Sequence, residues 1–149
     1  MAAGAWTFYN LTKRHLMDGA IDLDTNSFRM NLYTSASNAA TVTLSTIGSI
    51  TSEVSEAFGY SSSGKPLTGV TWAVGASASE YRFNCNQTQW AAAGGSIANI
   101  KTAVIWQVGA SAQARKLLCY SQLSTSQFSV TTGNTLTITP SANGIFELN

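Results

Sequence analysis

From Phe28 to the C-terminus the chain keeps returning to a two-residue alternation of apolar and polar side chains, broken every few residues by Gly, Ser or Asn. A period of two puts successive side chains on opposite faces of an extended strand, and it cannot build the continuous stripe that a helix buries. Phe28, Met30 and Leu32 alternate with Arg29, Asn31 and Tyr33, which predicts a half-buried strand. Val70 to Val74 follows a turn at Ser63-Gly64-Lys65-Pro66, and Tyr81, Phe83 and Cys85 then alternate with Arg82, Asn84 and Asn86 before a loop from Ala91 to Ser96. The longest strand carries Ile100, Thr102, Val104, Trp106 and Val108 on one face and Lys101, Ala103, Ile105 and Gln107 on the other, the pattern of a central strand. Leu117 to Leu123, Phe128 to Val130, Leu136 to Thr139 and Ile145 to Leu148 complete the strands. Thr132-Gly133-Asn134 and Asn143-Gly144 read as turns, the second as a hairpin signal. Residues 38–50 carry no period, which leaves an edge strand and an excursion both open.

Helical period occurs once. Asn10 can cap a helix of about three turns in which Leu11, His15 and Leu16 share a face before Gly19 stops it. The expected fold is therefore all-β, an antiparallel β-sandwich of jelly-roll-like or Ig-like type with one short N-terminal helix. Residues 1–9 read as an N-terminal arm and residues 10–149 as a single domain.

Only 15 of the 149 residues are charged, whereas Ser and Thr make up a quarter of the chain. A net charge of +1 gives no long-range field toward nucleic acid or an anionic bilayer, so neither is expected as a partner. Such a surface has little like-charge repulsion to keep copies apart, which suits a chain whose surface ends against other protein. The opening residues Met1 to Trp6 lack the basic and apolar regions of a signal peptide, which predicts synthesis in a cytoplasm. Cys85 and Cys119 have no metal or redox spacing and read as small core residues.

Chemistry-bearing residues are sparse. His15, the one histidine, stands in Lys13-Arg14-His15 and reads as a solvated or interface residue rather than a general base. Asp18, Asp22, Asp24, Glu53, Glu56, Glu80 and Glu147 are scattered. Asp22-Leu23-Asp24-Thr25-Asn26 opens like a calcium loop, but Ser27 replaces its glycine and Tyr33 its bidentate glutamate, so a turn is expected. No phosphate-binding glycine loop is present, and the doublets Lys13-Arg14 and Arg115-Lys116 read as solvent-facing. No catalytic residue, cofactor or metal is predicted. Trp72, Trp90 and Trp106 read as core residues, whereas Trp6, Phe8 and Tyr9 either plug the domain's own core or reach a neighbouring molecule.

Several stretches taken together resemble a family of small structural proteins from tailed bacteriophages. They are Met17-Asp18-Gly19, Ile21-Asp22-Leu23-Asp24, the strand Arg29 to Thr34, Glu53-Val54-Ser55, Gly59-Tyr60 and Gly64-Lys65-Pro66-Leu67-Thr68, then Trp90, Ala103-Val104-Ile105-Trp106 and Gly144 to Leu148. Ala57-Phe58 and the loop Ala91 to Gly95 depart from the family's pattern. The resemblance implies a capsid decoration, or cement, protein: a homodimer or homotrimer on the outer shell that clamps major capsid subunits. A collar, tail or fibre protein with a receptor- or glycan-binding role is the alternative. Within the decoration reading Trp6, Phe8, Tyr9 and Asn10 are the candidate interface with capsid or subunit, and a chain without residues 1–9 is expected to fold yet not bind.

Overall fold

The computed structural model describes residues 4–111 and 113–149. Antiparallel strands dominate, with one short helix, as the alternation predicts. The elements are β1 (Thr7–Phe8), α1 (Asn10–Met17), β2 (Phe28–Tyr33), β3 (Lys65–Pro66), β4 (Thr71–Val74), β5 (Tyr81–Asn84), β6 (Thr88–Ala91), β7 (Ile97–Ile100), β8 (Thr102–Gln107), β9 (Leu117–Gln122), β10 (Phe128–Val130), β11 (Thr135–Ile138) and β12 (Phe146–Leu148). They pair as a five-stranded sheet in the order β1-β9-β8-β2-β3, a three-stranded sheet β12-β5-β4, and the pairs β10-β7 and β11-β6.

These pairings are nested. β8 pairs β9, β7 pairs β10, β6 pairs β11 and β5 pairs β12, all antiparallel, so residues 81–107 run back along residues 117–148 as one long ribbon. Pairing persists through the bends of the ribbon: Leu123 N donates to Lys101 O at 2.8 Å, and Gly133 N to Ala92 O at 2.8 Å. Gly133, at φ +85°, supplies a left-handed turn residue at one of them. The Asn143-Gly144 turn does not join neighbouring strands, because β11 and β12 lie in different sheets and the turn closes only the local bridge Ser141–Gly144.

The core lies where the folded ribbon covers one face of the five-stranded sheet. Phe28, Met30, Leu32, Ala103, Ile105 and Cys119 from that sheet meet Phe83, Trp90, Ile97, Ile100, Leu136 and Ile138. β2 is buried on both faces rather than half-buried, and its second face, with that of β8, builds a separate cluster of Tyr33, Val104 and Trp106 with Tyr9, Ala39 and Leu117. Ile100 belongs to the first cluster, not to the row of Val104 and Trp106, because the strand is interrupted at Lys101: β7 ends at Ile100 and pairs β10, whereas β8 begins at Thr102 in the five-stranded sheet. Residues 38–50 form the cover of the second face, an excursion with one 3-10 turn at Ile47–Ser49, where Leu44, Ile47 and Ile50 pack on the cluster.

Of the two readings open for Trp6, Phe8 and Tyr9, the structure has them packed on the domain's own core. Thr7 and Phe8 pair with Tyr120 and Cys119, the Phe8 ring meets Phe146 edge-on at 4.6 Å, and Tyr9 is fully buried with its hydroxyl donating to Ala39 O at 2.6 Å. α1 spans eight residues, shorter than expected, and its cap position is Tyr9 rather than Asn10. Its buried residue is Thr12, whose hydroxyl lies 3.0 and 2.8 Å from the carbonyl oxygens of Leu117 and Leu118 and ties the helix to β9. A chain cut after residue 9 therefore loses an edge strand and a core ring. Tyr9→Ala should lower unfolding free energy by about 3–5 kcal/mol and Tyr9→Phe by about 1–2 kcal/mol, read from urea denaturation of the full chain.

Candidate functional site

The densest polar cluster sits beside β2, where the five-stranded sheet gives way to the loops before β3. β3 pairs only with Arg29 and Met30, so the ladder ends before Leu32. Tyr60 supplies what a longer strand would have given: its hydroxyl oxygen accepts from Leu32 N at 3.0 Å, while Val54 N donates to Leu32 O at 3.0 Å. The Tyr60 hydroxyl donates in turn to Glu53 Oε1 at 2.5 Å. Asn31, almost fully buried, donates from Nδ2 to the same Glu53 oxygen at 2.6 Å and to Ser62 O at 3.0 Å, and its Oδ1 accepts from Trp106 Nε1 at 2.6 Å. A chain of hydrogen bonds thus runs from the indole of β8 through the amide of β2 to the carboxylate and phenol of the loop.

Gly64 has its φ at +77°, and a side chain there would overlap Asn31 Oδ1, so this glycine is required by the close approach of the loop. Glu56 accepts from the Ser62 hydroxyl and from Ser62 N, which holds its carboxyl below the ordinary range. Burial pushes the Glu53 carboxyl above its ordinary 4.5, against the lowering effect of Tyr60 and Asn31. Burial also raises the Tyr60 hydroxyl far above its usual value. With one oxygen of Glu53 bound by two donors, the arrangement is suited to holding a loop against a strand.

The neighbouring loop is strained. Phe58 is about half exposed and has a φ of +54°, a left-handed conformation unusual for a bulky residue. Its ring lies over Gly95, its carbonyl accepts from Ala93 N at 3.1 Å, and Gly59 backs directly onto Ala91 O. Ala57-Phe58-Gly59 and the loop Ala91 to Gly95 are therefore in contact with each other.

Other sequence-predicted residues fall apart in space or into structural roles. Asp22 Oδ1 accepts from Asp24 N at 2.9 Å and Thr25 N at 3.2 Å, and Asn26 Oδ1 accepts from Asp22 N at 2.8 Å, so this segment is a self-capped turn. His15 is half-buried, and burial with Lys116 and Arg14 nearby lowers its pKa against the opposing pull of Asp18. Lys13 and Arg14 face solvent as expected, Arg14 pairing with Asp18 at 3.7 Å, whereas Arg115 and Lys116 are half-buried and the Arg115 guanidinium lies 5.3 Å from the Trp106 ring centroid. Cys85 and Cys119 are buried free thiols, and burial raises Cys85 to about 11 and Cys119 well above its ordinary value. Trp90 and Trp106 are core residues as expected, and Trp72 is half-buried against the core. Of the candidate interface residues, Tyr9 is buried, Trp6 and Phe8 are half-buried on the core, and Asn10 alone is exposed. Among the described residues no helix is long and apolar enough to cross a membrane.

Compared with family models, curated proteins and solved structures, the chain matches none.

The folded state binds the Glu53 proton more tightly than the unfolded chain, so the stability this group contributes is present below pH 4.5 and lost as pH rises through its raised value. Glu53→Gln should therefore gain stability relative to the natural chain as pH rises across that window, with Glu53→Leu costing stability at every pH because Asn31 and Tyr60 lose their acceptor. Thermal unfolding between pH 4 and 7 checks both.

Proposed function

We infer that the chain is a bacteriophage virion structural protein, a capsid decoration protein that binds the outer shell and clamps neighbouring major capsid subunits. The observation that carries the reading is the convergence of the phage-family motif residues. Glu53, Gly59, Tyr60 and Gly64 stand far apart in the sequence from Ala103 to Trp106, yet Glu53 and Gly64 meet Asn31, Tyr60 bonds Glu53, and Asn31 bonds Trp106. The residues that carry the resemblance serve here to pin a loop to a central sheet, which supports an architectural role. The role is mechanical and needs neither cofactor nor metal.

A weak net charge supports the same reading. The protein presents hydroxyls and amides rather than a field, and contacts of this kind add up when a lattice repeats them. Binding the assembled shell in preference to free subunits stabilises the shell by mass action. Phe8 and Tyr9 pack into the domain itself, which favours the loops and strand edges beside the exposed Asn10 as the contact in this reading.

Mass spectrometry of purified virions of the phage that carries this chain should find it in a ratio near that of the major capsid protein. A count of about a dozen copies per particle would shift it to the collar or tail, and its absence from the particle would overturn the virion reading.

A further inference from the structure

We propose that the free edge of β4 pairs with β4 of a second copy about a two-fold axis through Ala73, joining two three-stranded sheets into one of six strands. The inference stands on the geometry of this edge and does not depend on the virion reading.

β4 is the edge strand of its sheet, in register with β5 through Trp72–Phe83 and Val74–Tyr81. Gly75 N donates to Glu80 O at 2.8 Å, which fixes the alternation: Thr71, Ala73 and Gly75 turn their N–H groups toward β5, and Trp72 and Val74 turn theirs away from it. Edges of this sort are usually blunted by a charge, a proline or a bulge. Here residues 67–79 contain no charged residue and no proline, and the β4–β5 register has no shift.

The edge is complementary to itself. In an antiparallel pair centred on Ala73, Trp72 faces the partner's Val74 and Val74 the partner's Trp72, and these residues exchange the four main-chain bonds their outward groups offer. Ala73 then meets the partner's Ala73 as a non-hydrogen-bonded pair, where the chains come within about 4.5 Å and a small side chain fits best. On the other face each half-buried Trp72 lies beside a Val74 that is 55 % exposed, an aromatic and β-branched cross-strand pair. Thr71 faces Gly75 of the partner, so no like charges oppose each other along the seam. A second copy is the occupant this edge fits, since it supplies the matching register and the matching absence of charge.

The seam is short, and it falls below the roughly 800 Å² per partner of a stable dimer. The dimer is therefore concentration-dependent. Sedimentation equilibrium of the full chain should give twice the 15.7 kDa protomer mass near 0.5 mM and the protomer mass near about 1 µM. Ala73→Lys, at an exposed position, should remain monomeric at both concentrations with an unchanged circular dichroism spectrum. Val74→Pro, which removes only an outward N–H, should do the same. Ala73→Cys should form a disulfide-linked dimer under mild oxidation, whereas Thr71→Cys, displaced from its own copy across the axis, should not. A natural chain that stays monomeric at 0.5 mM, a trimer, an Ala73→Lys variant that still dimerises, or an Ala73→Cys variant that does not cross-link would each overturn the proposal.

Discussion

Burial of β2 and β8 on both faces is the constraint from which the remaining structure follows. Strands covered on both sides must find two apolar covers, and a chain this short has material for only one more layer of sheet. The ribbon made by β5 to β12 folds over one face, bringing Phe83, Trp90, Ile97 and Leu136 down onto Met30, Leu32 and Ile105. The other face is closed by parts that form no long strand: Tyr9 at the start of α1, and Ala39, Leu44, Ile47 and Ile50 from the excursion. Those parts are irregular backbone, and hydrogen bonds tie them to one another and to the sheet, as with Asn10 N to Val42 O and Leu117 N to Ser45 O.

How much of this the sequence carries depends on what alternation measures. It records that neighbouring side chains face opposite ways, and for β2, β5, β8 and β9 that information suffices to place the strand. It does not record whether the polar set faces water. Asn31 and Ser121 look like solvent-facing residues in an alternating strand, yet both are buried. Their burial is possible because partners distant in sequence satisfy them: Asn31 through Trp106, Glu53 and Ser62, and Ser121 through Gly4 O. No local pattern encodes such a partner. The same limit explains Thr12, an ordinary helix residue by composition that turns out to be the anchor of α1.

Turn signals fail in a different way. Asn143-Gly144 has the composition of a hairpin loop and does make a tight turn, but the flanking strands are already committed to β6 and β5 by the ribbon. Turn chemistry fixes the local reversal of the chain and leaves pairing to longer-range competition. In a ribbon whose outermost pair joins Tyr81 to Leu148, β11 and β12 each take their partner from the opposite arm, and the turn between them reverses the chain without pairing them.

The Glu53 cluster and the strained loop belong to one problem, which is how to stop a sheet cheaply at β2. β3 is two residues long, and beyond it Tyr60 replaces a strand with a single hydroxyl. A phenol reaches Leu32 only if the preceding loop doubles back, and the reversal falls on Phe58 and Gly59 at φ values of +54° and +100°. Gly59 adopts such a value freely, whereas Phe58 does so against its side chain, and the contact of its ring with Gly95 is what holds it there. The loop from Ala91 to Gly95 and the dipeptide Ala57-Phe58 therefore form one unit: the ring needs a residue without a side chain to lie on, and Gly95 supplies it.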